Sequence, residues 1–327
     1  MISVERLEKL SNELSFEAAT IERVVRLIDV LDRLTKDREI GHLFALKGGT
    51  ALNLFYLGLD RLSVDIDFNY IGAEDRKTML VDKALIVKRL PLLMQSYGYE
   101  LIRAPRDEHA GEKWRFRYVS AYRRPGTIEV DVNYMYRTPF FGTSLMNSVP
   151  LGGYTAKKIP VVDLREIAAG KIVAMAARSA SRDLYDAWRL LHADGLDWKQ
   201  VKLATLAIGA ATRDLNWRMA SLDGYRYDIK ELRGKLLTVV KNGMFDKDGG
   251  PEAWCERVLA ECQERLAPLF EHDSNEMSFL DTLYEEGRID ASSLQGDAAV
   301  KHAIENFPAL QWKALNIRNR NAGLPRP

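Results

Sequence analysis

The sequence predicts an α+β protein, an α/β first half followed by an all-helical second half, and three observations carry that prediction. Residues 63–70 alternate strictly between polar and apolar side chains, as a half-buried strand does. Phe44-Ala45-Leu46 runs into Lys47-Gly48-Gly49-Thr50 and then into an apolar helix start, the order strand, glycine turn, helix. Beyond a stretch rich in Gly, Ser and Pro at 138–160 the period-two pattern stops, and helical periodicity takes over.

The chain of 327 residues is long enough for about two domains, and the change of character places their boundary near 155, giving 1–155 and 156–327. Hydrophobic content of 46% with 28% charged residues excludes the disordered and fibrous classes. The 47 basic and 46 acidic residues nearly cancel, so there is no global footprint of a nucleic-acid coat protein, and any such contact must be local. Cys255 and Cys262 match neither a zinc pair nor a redox pair and read as core thiols, and none of the five histidines has a partner at ligand spacing. The opening residues lack a signal-peptide pattern, and no run approaches the ~18 apolar residues that span a bilayer. The expected location is the cytoplasm, with no membrane partner.

In chain order, residues 4–36 read as amphipathic helix broken near Ser11 and Ser15, with Ile21, Val24, Val25, Leu27, Ile28 and Leu31 as its apolar stripe. The helix after the glycine turn ends near Gly58, and residues 76–97 form another. Lys113–Tyr122 and Thr127–Tyr136 are alternating runs, with Pro125-Gly126 as the turn between antiparallel strands. Leu164–His192 reads as one long helix closed by Gly195, and helical patterns continue at about 197–219, 227–241, 252–270, 277–287 and 297–316.

Asp65-Ile66-Asp67 puts two carboxylates at i and i+2 on one strand face, about 7 Å apart. Hard cations such as Mg²⁺ take oxygen ligands of this kind. An isolated D-x-D is common on acidic surfaces. This one comes after a strand, glycine turn and helix, the layout of a phosphate site beside a metal site. Gly48 and Gly49 let the backbone approach closely, and N–H groups opening the helix after Thr50 can bind phosphate oxygens. Without the D-x-D, a plain tight turn would be the better account of that glycine pair. A third carboxylate is expected from Ile128–Asn133, where Glu129, Asp131 and Asn133 share a face. Asp131 is the choice as third metal ligand and base toward the attacking hydroxyl, with Glu129 the alternative and a solvated sheet face the other reading.

Two groups of cations complete the inventory. Lys171, Arg178 and Arg182 fall near one face of the expected 164–192 helix, where they meet a triphosphate or else form a solvent face with an Arg182–Asp186 pair. Lys113, Arg115 and Arg117, with Arg123 and Arg124 at the turn, read either as a track for RNA phosphates or as an ordinary exposed sheet face.

The block LKGGTALNLFYLGLDRLSVDIDFNY, with the later run LREIAAGKIVAMAARSASRDLYDAWRL, resembles the AbiEii/AbiGii family of nucleotidyltransferase toxins, which includes the mycobacterial MenT proteins. The stretch Phe307–Lys313 is similar too. The resemblance implies a polymerase-β-like nucleotidyltransferase domain, with a mixed sheet flanked by helices, followed by a helical C-terminal domain for nucleotide and acceptor. It implies Lys47, Gly48, Gly49 and Thr50 as the phosphate loop, Asp65 and Asp67 as metal ligands, Lys171 as a triphosphate contact and Asp183 as a further site residue. Arg61 and Ser63 fall at matching positions, and Asp186 lies three residues from Asp183 and can share its role.

In chemical terms the resemblance implies a two-Mg²⁺ site that moves NMP from an NTP to an RNA acceptor, the tRNA 3′ end being the expected one, with pyrophosphate released and translation inhibited. It also implies a toxin of a type IV toxin–antitoxin or phage-defence system, with a separate antitoxin protein as partner. Transfer to a protein or to a small molecule such as an antibiotic is the alternative. A non-catalytic binding module is a third reading, and the joint presence of Gly48, Gly49, Asp65 and Asp67 speaks against it.

Overall fold

The computed structural model describes residues 2–105, 110–213 and 215–325. By internal packing the described residues form two units: Met1–Arg137, Thr143–Val162 and Arg233–Met244 make up one, and Thr138–Gly142, Asp163–Leu232 and Phe245–Pro327 the other. In place of a single cut near 155, the chain crosses between the units several times.

The first unit is built on seven strands: β1 Phe44–Lys47, β2 Asp65–Tyr70, β3 Glu100–Arg103, β4 Gly111–Val119, β5 Pro125–Asn133, β6 Thr143–Met146 and β7 Ile159–Val162. Their order is β3-β4-β5-β2-β1-β7-β6, and the sheet is mixed: β5 lies parallel to β2, β7 lies parallel to β1, and the other neighbours are antiparallel. Period-two alternation does what the sequence predicts, burying Ile66 and Phe68 of β2, Trp114 and Phe116 of β4, and Ile128, Val130 and Val132 of β5. Phe44 stacks on Phe68 at 4.8 Å between ring centroids.

Helices flank this sheet: α1 Val4–Leu14, α2 Ala18–Leu34, α3 Gly48–Ala51, which continues as a π-helical turn to Tyr56, and α4 Arg76–Ser96. The whole apolar stripe expected on α2, Ile21 to Leu31, is buried. The break after α1 falls at Ser15, which adopts a left-handed φ of 59°.

Four expectations change. Pro125-Gly126 is the start of β5, and the chain reverses over 120–124, where Ser120 N–H donates to Arg124 O and Arg123 takes a φ of 59°. The 138–160 stretch contains β6 and the start of β7. Of the helix expected over 227–241 only Ile229–Glu231 and a π turn, Leu232–Leu236, form. The next residues return to the first unit, where Leu62 N–H donates to Val239 O at 2.7 Å and Lys241 pairs with Asp60 at 2.8 Å. Finally, Leu164–His192 is two helices, α5 Leu164–Ala177 and α6 Ser181–Leu191, with Arg178 extended between them.

The second unit is helical. Beyond α5 and α6 it contains α7 Trp198–Ala211 and, further along, helices over Pro251–Leu266, Ser274–Asp281, Ala298–Glu305 and Pro308–Asn321. An aromatic cluster centres it, with Trp254 lying 4.7 Å from Phe245 and 5.6 Å from Tyr185. Cys255 and Cys262 are buried free thiols, and burial pushes both up to about 12. Among the described residues no helix is long and apolar enough to cross a membrane.

Candidate active site

Sheet register assembles the predicted carboxylates. The parallel pairing of β2 and β5 sets Asp65 beside Glu129 and Asp67 beside Asp131. Antiparallel pairing on either side adds Lys47 next to Asp67, Lys113 next to Asp131 and Arg115 next to Glu129. Paired residues share a sheet face, so one row across four strands reads Lys47, Asp67, Asp131, Lys113 and the adjacent row reads Asp65, Glu129, Arg115. All four carboxylates are partly exposed while their strand neighbours are buried.

The cations of β4 close this row. Lys113 Nζ lies 3.1 Å from Asp131 Oδ2 and 3.6 Å from Glu129 Oε2, and Arg115 Nε donates to Glu129 Oε1 at 2.7 Å. Arg117 forms a forked pair with Glu100 of β3. Burial tends to lower the Lys113 ammonium, but the Asp131 and Glu129 carboxylates outweigh it and hold the group above its ordinary value. Burial pushes Glu129 upward, yet the Arg115 hydrogen bond and the Lys113 charge bring it below the ordinary carboxylate value. The three cations considered as an RNA track are thus each engaged with a carboxylate.

The glycine turn lies against the acidic row. Gly48 has a left-handed φ of 69°, and a Cβ there would stand 2.6 Å from Asp67 Oδ2, so only glycine leaves the backbone bare beside that carboxylate. A Cβ at Gly49 would meet Arg61 Nη2 and Ser63 Oγ, each at 2.9 Å. Arg61 and Ser63 are therefore buried supports beneath the turn, and the Arg61 guanidinium donates to Leu62 O at 3.1 Å. Thr50 is fully buried, and its hydroxyl donates to the Asp65 carbonyl at 2.5 Å, tying the turn to the start of β2. Asn53 Nδ2 donates to Gly49 O at 2.8 Å. The glycines are themselves the first turn of α3, not a loop ahead of it.

Hard oxygen donors at Asp65 and Asp67, open to solvent beside a bare backbone, suit a divalent cation. Asp131 is the third donor in register, with Lys113 now standing on it. Among the described residues no three acidic, His or Cys side chains already converge at metal-ligand spacing.

In the second unit, Lys171 on α5 reaches two aspartates of α6: its Nζ lies 2.8 Å from Asp186 Oδ2 and 3.7 Å from Asp183 Oδ1. Arg178, at the break between the helices, adds a 2.8 Å contact from Nε to Asp183 Oδ2. Because α5 ends at Ala177, Lys171, Arg178 and Arg182 do not share one helix face, which corrects that expectation. Sequence reasoning missed Glu231, whose carboxylate accepts a 2.8 Å hydrogen bond from Ser181 N–H and also binds the Ser181 hydroxyl, thereby starting α6.

The fold is similar to that of MenT4, a nucleotidyltransferase toxin from Mycobacterium tuberculosis H37Rv, with a TM-score of 0.60 and 17% sequence identity over 93% of this chain and 98% of that one. No curated protein sequence matches the chain. The profile of the nucleotidyl transferase AbiEii toxins of type IV toxin–antitoxin systems names a nucleotidyl transfer, which uses a nucleoside triphosphate, and a toxin that has an antitoxin counterpart. It matches residues 29–272, a span that contains both clusters of charged residues, and the chain belongs to the AbiEii family of nucleotidyltransferase toxins.

Proposed function

We propose that the chain transfers NMP from an NTP to an RNA acceptor, the 3′ end of tRNA, and so inhibits translation until its antitoxin partner opposes it. The observation that carries this reading is the acidic row of Asp65, Asp67, Glu129 and Asp131 facing the bare backbone of Gly48. Asp65 and Asp67 would hold Mg²⁺, joined by Asp131 when Lys113 turns aside. A divalent cation held there would supply Lewis-acid polarisation of the α-phosphoryl group and would make the attacking hydroxyl more acidic.

This chain's own residues do the rest. The acceptor hydroxyl attacks the α-phosphorus, a new P–O bond forms, and the bond to the bridging oxygen breaks, so that pyrophosphate leaves with that electron pair. Asp131, once Lys113 has turned aside, takes the hydroxyl proton in this reading. Lys47, at the end of the row beside Gly48, neutralises phosphate charge. Lys171 serves as the triphosphate contact, and the ion pairs to Asp183 and Asp186 hold its ammonium in place. Arg178 and Arg182 add positive charge to that helical segment.

Asp65→Ala or Asp67→Ala should abolish transfer while leaving the melting temperature within about 2 °C of the parent, since partly exposed carboxylates contribute little to stability. Full transfer by either variant would overturn the assignment. Because the cations of β4 are already paired, the same assay is run with labelled NTPs on tRNA, on protein and on small-molecule fractions. Label in protein or drug instead of RNA would move the acceptor to the alternative class.

A further inference from the structure

Two cations of β4 stand on the acidic row, and they hold it in different ways. Arg115 grips Glu129 through two nitrogens, with Nε at 2.7 Å from Oε1 and Nη2 on the same oxygen. Lys113 sets a single ammonium between two carboxylates, nearer to Asp131 at 3.1 Å than to Glu129 at 3.6 Å. Register fixes where that ammonium arrives. Lys113 is the direct partner of Asp131 across the β4–β5 ladder and Asp131 is the direct partner of Asp67, so Lys113 meets the row at the end opposite Lys47. Asp67 attracts the same ammonium from further away.

The two carboxylates of β5 therefore differ in what a departing lysine leaves behind. Glu129 keeps its forked contact with Arg115, whereas Asp131 is released from the ammonium that stands on Oδ2. Departure is easy, because the Lys113 side chain is 46% exposed and its head is a strongly hydrated point charge on a flexible stem. A pair this exposed shifts an equilibrium by about fivefold at most. An ammonium carries one charge, while a divalent cation carries two and draws its oxygens closer, so an ion that takes Oδ2 displaces the lysine.

We infer that Lys113 is a positioning residue of this site: it caps Asp131, and a divalent ion gains that carboxylate only by displacing it, a role that rests on the metal reading of Asp65 and Asp67 above. Asp131 is then the exchangeable ligand and Glu129 a fixed neighbour. The full chain is titrated with Mn²⁺ alone, and the free ion is read by its electron paramagnetic resonance signal. Lys113→Gln should bind Mn²⁺ about fivefold more tightly than the parent. Lys113→Arg, which keeps the charge, should show no gain. Adding Asp131→Asn to Lys113→Gln should abolish the gain, because the uncovered carboxylate is what the ion takes. Arg117→Gln removes a cation further along the same strand, paired with Glu100, and should leave the affinity within about twofold. That arm separates a cap on Asp131 from a general change in surface charge. An unchanged affinity in Lys113→Gln, an equal gain in Arg117→Gln, or a gain that survives Asp131→Asn would each overturn the cap, as would Mn²⁺ left unbound by both parent and Lys113→Gln. The metal reading fails separately: Asp65→Ala that binds Mn²⁺ as tightly as the parent removes it, whereas binding that needs Asp65 and ignores Lys113→Gln keeps the metal and removes the cap.

Discussion

Replacing Lys171 with Met removes an ammonium that sits between two buried carboxylates, Asp186 at 2.8 Å and Asp183 at 3.7 Å. The Lys171 side chain is 13% exposed, Asp183 2% and Asp186 0%, so solvent does little to replace it. Breaking a buried pair by deleting one partner typically costs about 3–5 kcal/mol. Asp183 keeps Arg178, which favours the lower end, about 3 kcal/mol. At roughly 2–4 °C per kcal/mol for a unit of this size, the melting temperature should fall by about 6–12 °C. Scanning fluorimetry with urea unfolding measures it, and Lys171→Met/Asp186→Asn should recover most of the loss by removing one charge of each sign. A single variant that melts within about 1 °C of the parent would refute the reasoning. Transfer by Lys171→Met, assayed well below its midpoint, then reports on triphosphate use: a raised KM with kcat retained fits a phosphate contact, and unchanged values of both reduce Lys171 to a structural role.

Gly48→Ala should lower transfer by about tenfold or more, since the new methyl group would stand 2.6 Å from Asp67 Oδ2 at a left-handed φ of 69°. Gly58→Ala, also at positive φ but with nothing within 4 Å, supplies the control: comparable loss of stability and no comparable loss of transfer, and equal rates in the two variants would remove Gly48 from the site. Glu129 is held below its ordinary value of 4.5, so its contribution to stability is present above that value and is lost as pH falls through the lower folded-state value. The difference in urea midpoint between the parent and Glu129→Gln should therefore be largest near neutrality and shrink in acid, and a difference independent of pH would show that the Arg115 and Lys113 contacts are not felt.

Where local periodicity decides an element, the sequence is a sufficient guide. β2, β4 and β5 each bury one face of a sheet, and their alternation is readable because one-sided burial selects it. β7 lies inside the sheet between β1 and β6, yet Ile159-Pro160-Val161-Val162 is too short to show a period, and its proline reads as a breaker. β3 and β6 are four-residue edge strands with little burial to impose a pattern. The break between α5 and α6 is invisible for another reason. Apolar residues continue on both sides of it, and what starts α6 is the carboxylate of Glu231, fifty residues further along.

The candidate site divides in the same way. Asp65, Asp67 and Asp131 were legible because each belongs to an alternating run whose other face is apolar. The neighbours that set their electrostatics were not, since register depends on where a hairpin turns. With Pro125-Gly126 as the turn, Lys113 faces away from Asp131. With the reversal at 120–124, Val119 pairs with Pro125 and the ladder brings Lys113 to Asp131 and Arg115 to Glu129. A displacement of the turn by a few residues thus separates a basic track for RNA from an acidic row closed by its own cations. The electrostatics of the row then depend on its members: two carboxylates at its centre, a lysine at each end, and a glycine backbone left bare where Asp67 faces the turn. Such an arrangement attracts a divalent cation at its middle and phosphate at the Lys47 end. It leaves no unpaired positive charge along Lys113, Arg115 and Arg117 to hold a nucleic-acid strand, and the charge for that purpose has to come from elsewhere in the chain.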